Sequence, residues 1–256
     1  MRRCRPSWVV VTMTILHCAG CARDAAPEAR ASVERPQKQA APLGVSEVVG
    51  QSVKGAPIEM VRFGSGERPV LVLGAIHGDE STSVVLTRAL VAELRANPAA
   101  SSGVPAAVIE VMNPDGVAAG TRTNARKVDL NRNFPAANFS GSARRGHDAL
   151  SEPEAKALAD VIERLRPRLI VSVHSMDKPC NNYDGPAKSV AEAMSRHNGY
   201  PAEATIGYPT PGSLGSWVGI DKEIPIITLE LPRSLRGNDI WRTNREAVLA
   251  AITFFR

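Results

Sequence analysis

The chain has 256 residues, of which 43% are hydrophobic, and this is enough to build one substantial core in a single domain. Its formal net charge is +5, but three arginines lie within the first five residues, so the remainder is close to neutral. The composition therefore gives little support to nucleic-acid binding, and no run of about twenty apolar residues indicates a membrane-spanning helix.

Residues 1–21 have the layout of an export signal. Basic residues are followed by an apolar stretch, Trp8 to Leu16, that is too short to cross a membrane, and small residues then precede Cys21. The order Cys18-Ala19-Gly20-Cys21 resembles a bacterial lipoprotein signal with Cys21 as the lipidated residue, although an aliphatic residue is usual at the place of Cys18. We expect an exported protein, periplasmic or membrane-anchored, with secretion without lipid and an unprocessed N-terminus as the alternatives.

Residues 22–44 are rich in Ala, Pro and charged residues and predict a flexible linker, which leaves residues 45–256 as the folded domain. Apolar runs predict strands at 58–63, 69–73, 106–111, 168–173 and 226–231. Helical periodicity and helix-start signals predict helices at 81–96, 151–165, where Ser151 is the expected N-cap, 188–198 and 241–255. This alternation indicates an α/β sheet.

Only Cys180 of the four cysteines falls in the domain, so no internal disulfide is expected there.

The stretch Gly74 to Glu80 carries a histidine and a carboxylate three residues apart. It follows the strand predicted at 69–73 and precedes the helix predicted at 81–96, so His77 and Glu80 lie at a strand-to-helix turn. Zinc binds N and O ligands, and a catalytic zinc usually has three protein ligands and one water. The pair therefore predicts two ligands of a metal site.

Two further ionisable residues lie at or near predicted strand ends, where sites gather in open α/β sheets. A histidine in the position of His174 is often a hydrogen-bonded core residue, but beside His77 and Glu80 it is the natural third ligand. Glu230 interrupts an apolar strand, where a carboxylate is costly unless it is paired or near a metal. It is either part of a structural ion pair or a general base that takes a proton from water and passes one to a leaving amine.

The polar loop Gly120 to Pro135 is dense in arginine and asparagine. Asn131 and Arg132 place a neutral and a cationic donor side by side, and the planar arginine fork suits a carboxylate. Arg122 and Arg126 are close in sequence, so solvation is the alternative explanation for part of this charge.

Eight motifs follow one another between residues 70 and 232. They are Gly74–Glu80, Asn113–Gly116, Gly120–Ala125, Val128–Pro135, Ser172–Ser175, Asn182–Ala187, Tyr208–Trp217 and Ile227–Leu231. The ordered set resembles the M14 family of zinc carboxypeptidases, and most of all its small bacterial branch, the murein peptide amidases. The resemblance implies an α/β fold with one domain and a mixed, mostly parallel eight-stranded sheet flanked by helices.

The resemblance also implies one Zn²⁺ per chain and a role for each matching residue. His77, Glu80 and His174 match the zinc ligands, and Glu230 matches the general base. Further matches are Arg122 for the oxyanion, with Arg126 as the alternative, Asn131 and Arg132 for the terminal carboxylate, Tyr208 as a mobile tyrosine over the substrate, and Asp129 as the carboxylate that orients a zinc-bound histidine.

The implied reaction is hydrolysis of an amide next to a free C-terminal carboxylate, most closely the γ-D-glutamyl–meso-diaminopimelate bond of murein peptides. Met176 stands where digestive members of the family have a second tyrosine, so their broad specificity is not expected. Diaminopimelate carries an extra amine and carboxylate that need polar partners. The sequence does not choose among its four candidates, which are Asp184, Arg144, Arg145 and Arg233.

Two other functions remain open. One is a metallocarboxypeptidase that removes C-terminal residues from peptidoglycan stems or ordinary peptides. The other is an inactive lipoprotein that only binds wall peptides, although such a protein has no need of Glu230. The sequence indicates no nucleic-acid partner and does not indicate an oligomeric state.

Overall fold

The computed structural model describes residues 44–256 and the isolated positions 10 and 12. The predicted export signal and linker therefore lie outside the described residues, apart from positions 10, 12 and 44. Residues 44–256 fall within one compact unit. In this described part of the chain, no helix combines the length and the apolar character needed to cross a bilayer.

One eight-stranded sheet organises the domain, with the strand order β1-β2-β4-β3-β5-β8-β6-β7. The strands are β1 Val45–Gln51, β2 Pro57–Phe63, β3 Val70–Gly74, β4 Ala106–Ile109, β5 Leu169–Met176, β6 Cys180–Asp184, β7 Ala202–Glu203 and β8 Ile226–Pro232. The four central strands β4, β3, β5 and β8 run parallel, whereas the pairs β1–β2, β2–β4 and β6–β8 are antiparallel and β7 is parallel to β6. This confirms the mixed sheet expected from the sequence.

Helices cover both faces of the sheet. They are α1 Ser81–Ala96, α2 Pro114–Ala119, α3 Pro153–Leu165, α4 Lys188–Asn198 and α5 Asn238–Thr253, with a π-helix at Gly215–Asp221. One core forms between the sheet and α1, α4 and α5. The second core forms between the opposite face, α3 and the π-helix, where the rings of Phe134 and Trp217 stack with their centroids 5.6 Å apart. Because β3 is buried on both faces, its sequence is a continuous apolar run.

The predicted strands and helices are present, with shifted ends, but the sequence did not reveal five of the elements named above. The strands β1, β6 and β7 lack a continuous apolar run, because β1 is largely exposed and β6 has the polar sequence CNNYD. The turn predicted at Asn113–Gly116 is the start of α2, where the side chain of Asn113 accepts a hydrogen bond from Gly116 N over 2.9 Å. The π-helix was also not predicted.

The prediction that Ser151 caps a helix is wrong. Helix α3 begins at Pro153, and Glu152 occupies the flanking position without a side-chain cap. The hydroxyl of Ser151 instead contacts the side-chain amide of Asn133 at 3.1 Å and Glu152 Oε1 at 3.0 Å. Because the Ser151 hydroxyl interacts with these two side chains, which lie outside the helix, it does not cap the helix as the sequence had indicated.

Candidate metal centre

The turn after β3 has an unusual backbone. Ala75 has φ 51°, a left-handed conformation that costs a residue with a side chain about 1–3 kcal/mol. Its N–H donates to Ser83 Oγ over 3.0 Å, and its carbonyl accepts from Asn113 N over 2.9 Å, so tertiary contacts hold this conformation. A Cβ on Gly78 would lie 2.0 Å from the carbonyl carbon of Gly116, so only glycine permits this close approach.

Three buried side chains converge at the end of this turn and of β5. His77 Nδ1 lies 2.9 Å from Glu80 Oε1, His174 Nδ1 lies 3.1 Å from Glu80 Oε2, and the two Nδ1 atoms are 3.2 Å apart. Ligand atoms around a tetrahedral zinc are separated by about 3.3 Å when the bonds are about 2.0 Å long. Among the described residues, this is the one group of three such side chains that is arranged to hold a metal ion.

The hydrogen bonds on the far side of each ring determine which nitrogen faces the centre. His77 Nε2 lies 3.1 Å from Asp129 Oδ1, and because a carboxylate only accepts, Nε2 carries the proton and Nδ1 keeps its lone pair. His174 Nε2 lies 3.0 Å from Ser172 Oγ, which leaves its Nδ1 directed at the same point. Two imidazole nitrogens and a carboxylate that face one another at these distances are the donor set that zinc prefers, so the residues present fit zinc.

The charged groups of the centre shift the pKa values of His77 and Glu80, so that the carboxylate stays ionised and attracts positive charge. Burial opposes protonation of His77, but its hydrogen bonds to Asp129 and Glu80 outweigh burial and raise its pKa. Burial also opposes ionisation of Glu80, but the charge and hydrogen bond of His174, together with those of His77, lower the pKa of this carboxyl well below its usual range.

Arg122 lies against this centre, whereas Arg126 does not. Arg122 Nε donates to Asp129 Oδ2 over 3.0 Å, and its Nη1 donates to Glu80 Oε1 over 3.3 Å. Burial opposes its charge, but Asp129, Glu80 and, more weakly, Asp79 outweigh burial and raise the pKa of Arg122. Arg126 turns away and donates to the backbone carbonyl of Ser151 over 3.4 Å. Of the two arginines left open by the sequence, the structure brings Arg122 to the site.

A buried polar network that the sequence did not reveal supports the loop that carries Arg122 and Asp129. The Asn124 side-chain amide donates to Glu152 Oε2 over 2.7 Å and to Glu154 Oε2 over 3.2 Å. Its carbonyl oxygen accepts from the backbone N–H groups of Arg126 and Val128. The only signal for this network in the sequence is a pair of acidic residues at a helix start, which is common at helix N-termini generally.

The residues expected to bind a terminal carboxylate lie along one wall of the cleft. Asn131 Oδ1 accepts from Leu214 N over 2.9 Å, which leaves the Asn131 Nδ2 donors available. Arg132 Nη1 donates to the Asn131 backbone carbonyl over 2.6 Å, and burial lowers the pKa of Arg132. Tyr208 lines the same cleft from a loop and is 52% exposed.

Glu230 lies beside His174 in the register of β5 and β8. It is 6% exposed and lines the cleft, and within residues 44–256 its carboxylate forms no hydrogen bond or ion pair with another side chain. The structural ion pair considered from the sequence is therefore not found in this part of the chain. Burial raises the pKa of Glu230 above its ordinary value, which suits a group that exchanges protons near neutral pH.

The floor of the cleft follows one face of the sheet from Glu230 down to Asp184. In the antiparallel pair β6 and β8, Cys180 faces Glu230 and Asp184 faces Ile226, so Asp184 lies four residues, or about 13 Å, from the Glu230 end. Burial raises the pKa of Asp184, and no donor in the described part of the chain contacts its carboxylate. Gly215 makes room for it, since a Cβ there would lie 2.3 Å from Asp184 Oδ2.

Two of the four candidate partners for a diaminopimelate side chain line this cleft, namely Asp184 and Arg233. Arg144 and Arg145 do not line it, and the side chain of Arg145 donates to the carbonyl of Ser140. The cleft therefore combines a metal-binding triad, an unpartnered carboxylate beside it, and cationic and anionic groups on its walls.

Comparison with known proteins shows similarity at the levels of family, sequence and fold. The family model described as zinc carboxypeptidase matches residues 38–208. Murein peptide amidase A of Escherichia coli K12 is 36% identical over 220 residues, which cover 77% of this chain and 85% of the relative. Murein peptide amidase A of Vibrio campbellii is 37% identical over 202 residues, which cover 72% of this chain and 77% of the relative.

Solved structures give the same picture. Murein-tripeptide amidase MpaA of Escherichia coli O157 superimposes with a TM-score of 0.64 at 31% identity, covering 82% of this chain and 92% of that chain. Bovine thrombin-activatable fibrinolysis inhibitor superimposes with a TM-score of 0.70 at 20% identity, covering 82% of this chain and 88% of that chain. The second similarity shows the shared fold alone.

Proposed function

The chain belongs to the zinc carboxypeptidase family, and from this membership we propose that it hydrolyses the amide between γ-D-glutamate and meso-diaminopimelate in murein peptides. It is a zinc-dependent metallohydrolase. One observation carries the choice of hydrolysis over binding: Glu230, a buried carboxylate without a partner among residues 44–256, is in register with His174 of the metal triad.

The positions of the residues in the cleft suggest a separate chemical role for each of them. Zinc bound by His77, Glu80 and His174 supplies Lewis acidity toward a carbonyl oxygen and lowers the pKa of water. Glu230 accepts a proton from the attacking water and donates one to the leaving amine. The Arg122 guanidinium provides fixed positive charge where the oxyanion develops, and such preorganised charge supplies much of the rate.

The two ends of the cleft support the substrate assignment. Asn131, Arg132 and Tyr208 offer donors to the free carboxylate that follows the scissile bond. Asp184, deeper in the cleft, suits the amino group at the far end of a diaminopimelate side chain. The names of the relatives in Escherichia coli and Vibrio campbellii point to the same substrate class.

A comparison of two substrates tests the proposal. Purified zinc-loaded protein is incubated with L-Ala-γ-D-Glu-meso-diaminopimelate and, separately, with an ordinary α-linked peptide, and the products are identified by mass spectrometry. The proposal predicts free diaminopimelate from the first and little release from the second. Release of C-terminal residues from the α-linked peptide alone would replace the amidase with the metallocarboxypeptidase, and no turnover of either peptide would favour the wall-peptide-binding lipoprotein.

We further propose that the protein is exported and anchored through a lipid on Cys21, with residues 22–44 as the tether. The support is the order of charged, apolar and small residues before Cys21. Incorporation of labelled fatty acid into the wild type and its loss in Cys21→Ala tests this proposal, with Cys4→Ala as the control. Equal labelling of wild type and Cys21→Ala would contradict it.

A further inference from the structure

A second cavity adjoins the catalytic cleft on the far side of the metal ligand Glu80. Glu80, Ser175 and Arg233 line both spaces, so the two adjoin at these side chains. The second cavity measures about 310 Å³, and its remaining walls come from the start of α1 and from the segment between β8 and α5. It is therefore large enough for the part of a substrate that extends past the metal.

The position of this cavity relative to the triad fixes which half of the substrate enters it. The residues expected to hold the leaving side, Asn131, Arg132 and Tyr208, line only the first cleft. Of the triad, Glu80 alone lines the second cavity, and none of Asn131, Arg132 and Tyr208 does. A substrate with its terminal carboxylate on Asn131 and Arg132 directs its acyl part toward the second cavity.

Two arginines give this acyl side its charge. Arg233 follows Glu230 by three residues, and its N–H donates to the Met176 carbonyl over 3.2 Å, which ties the end of β8 to β5. Within residues 44–256, no carboxylate forms an ion pair with the Arg233 side chain. Arg236 Nη1 donates to the carbonyls of Leu235, over 2.8 Å, and of Arg233, so its guanidinium stays over the same segment.

The carboxylates of the second cavity do not cancel this charge. Glu80 belongs to the metal triad, and Asp79, which also lines the cavity, forms no ion pair with either arginine within residues 44–256. Arg233 and Arg236 therefore remain available to an anion that enters from the substrate.

We propose that Arg233, assisted by Arg236, binds the free α-carboxylate of the glutamyl residue and so selects γ-linked over α-linked substrates. A glutamate joined through its side chain keeps its α-carboxylate, which three carbon atoms separate from the scissile carbonyl on the acyl side. An ordinary peptide has an uncharged amide in the backbone at this point. Arginine binds carboxylates through paired N–H donors, which suits this discrimination. The inference rests on the proposed amidase function and assigns its acyl-side specificity.

Two matched substrates test it. One is L-Ala-γ-D-Glu-meso-diaminopimelate, and the other is the same peptide with the glutamyl α-carboxylate converted to a carboxamide. The wild type should prefer the carboxylate form by about tenfold in kcat/KM, a factor typical of one charge-assisted contact at a partly exposed site. Arg233→Gln combined with Arg236→Gln should abolish this preference by raising KM for the carboxylate substrate alone. Arg242→Gln, an exposed arginine on α5, should keep it.

The outcomes separate the inference from the function on which it rests. An unchanged rate on the carboxamide substrate, with one zinc per chain, shows that the double variant is folded and that Arg233 does not bind the diaminopimelate common to both substrates, and it supports the inference. Equal loss on both substrates, or a wild type without preference, would overturn the inference and leave the amidase function intact. Failure of the wild type to hydrolyse either peptide would overturn the amidase function itself, and the inference with it.

Discussion

Asp129 accepts a hydrogen bond from His77 Nε2 over 3.1 Å and thereby directs His77 Nδ1 toward Glu80 and His174. The same carboxylate receives Arg122 Nε on its other oxygen over 3.0 Å. Burial opposes ionisation of Asp129, but the hydrogen bond and charge of His77, with the charge of Arg122, lower its pKa well below the usual range. One ionised side chain therefore orients both a metal ligand and the arginine expected at the oxyanion.

Asp129→Ala tests this double role. We expect zinc affinity and kcat/KM each to fall by about 10- to 100-fold, because partners of metal-bound histidines commonly contribute this much. Chelator competition measures the affinity, and Asp148→Ala, an exposed aspartate on a nearby loop, serves as the control. Unchanged zinc affinity in Asp129→Ala would show that His77 does not need its partner.

Glu230→Gln separates metal binding from catalysis. The amide has nearly the same shape but cannot accept the proton, so kcat should fall by at least about 10²-fold while zinc content stays at one per chain. Glu223→Gln, an exposed residue of the same type, should have no effect. Activity within a fewfold of the wild type would exclude Glu230 as the general base.

Asp184→Asn should weaken the recognition of diaminopimelate and stabilise the folded protein at pH 7. Loss of the carboxylate should lower kcat/KM for a substrate with diaminopimelate by about tenfold, and much less for an analogue without the distal amine. Kinetics on the two substrates measure this, and equal effects on both would contradict the assignment.

The same variant predicts a pH effect on unfolding. Because burial raises the pKa of Asp184 in the folded protein, the folded state binds this proton more tightly than the unfolded chain. The stability contribution of Asp184 therefore falls as pH rises from its ordinary pKa through the raised one, and stays low above it. Asp184→Asn should be more stable than the wild type at pH 7 and lose this advantage in acid, as urea unfolding at both pH values would show. Lower stability at pH 7 would contradict this.

Asn124→Ala should loosen the loop that carries Arg122. The substitution leaves buried acceptors on Glu152 and Glu154 without a donor, so the free energy of unfolding should fall by about 1–3 kcal/mol. The activity lost should exceed the zinc lost, because the ligands His77, Glu80 and His174 lie outside this loop. Denaturant unfolding and zinc analysis check both effects, and wild-type stability in Asn124→Ala would rule out the network as a support.

The sequence predicted the parts of the site that depend on local pattern. His77 and Glu80 follow an apolar strand and precede a periodic helix, so short-range signals were enough to place them. Asp184 could not be placed in this way, because β6 is a short polar strand whose position depends on pairing with β8. The choice between Arg122 and Arg126 likewise depends on side-chain contacts that residue types alone do not specify.

The most direct test of the central claim is a zinc titration of metal-free protein in the presence of L-Ala-γ-D-Glu-meso-diaminopimelate. The release of diaminopimelate is measured as the zinc-to-protein ratio increases. We predict no release without metal and a linear rise that ends at one zinc per chain, with no comparable rise in Glu230→Gln. Release by the metal-free protein, or none at full zinc occupancy, would contradict the claim that this chain is a zinc-dependent murein peptide amidase.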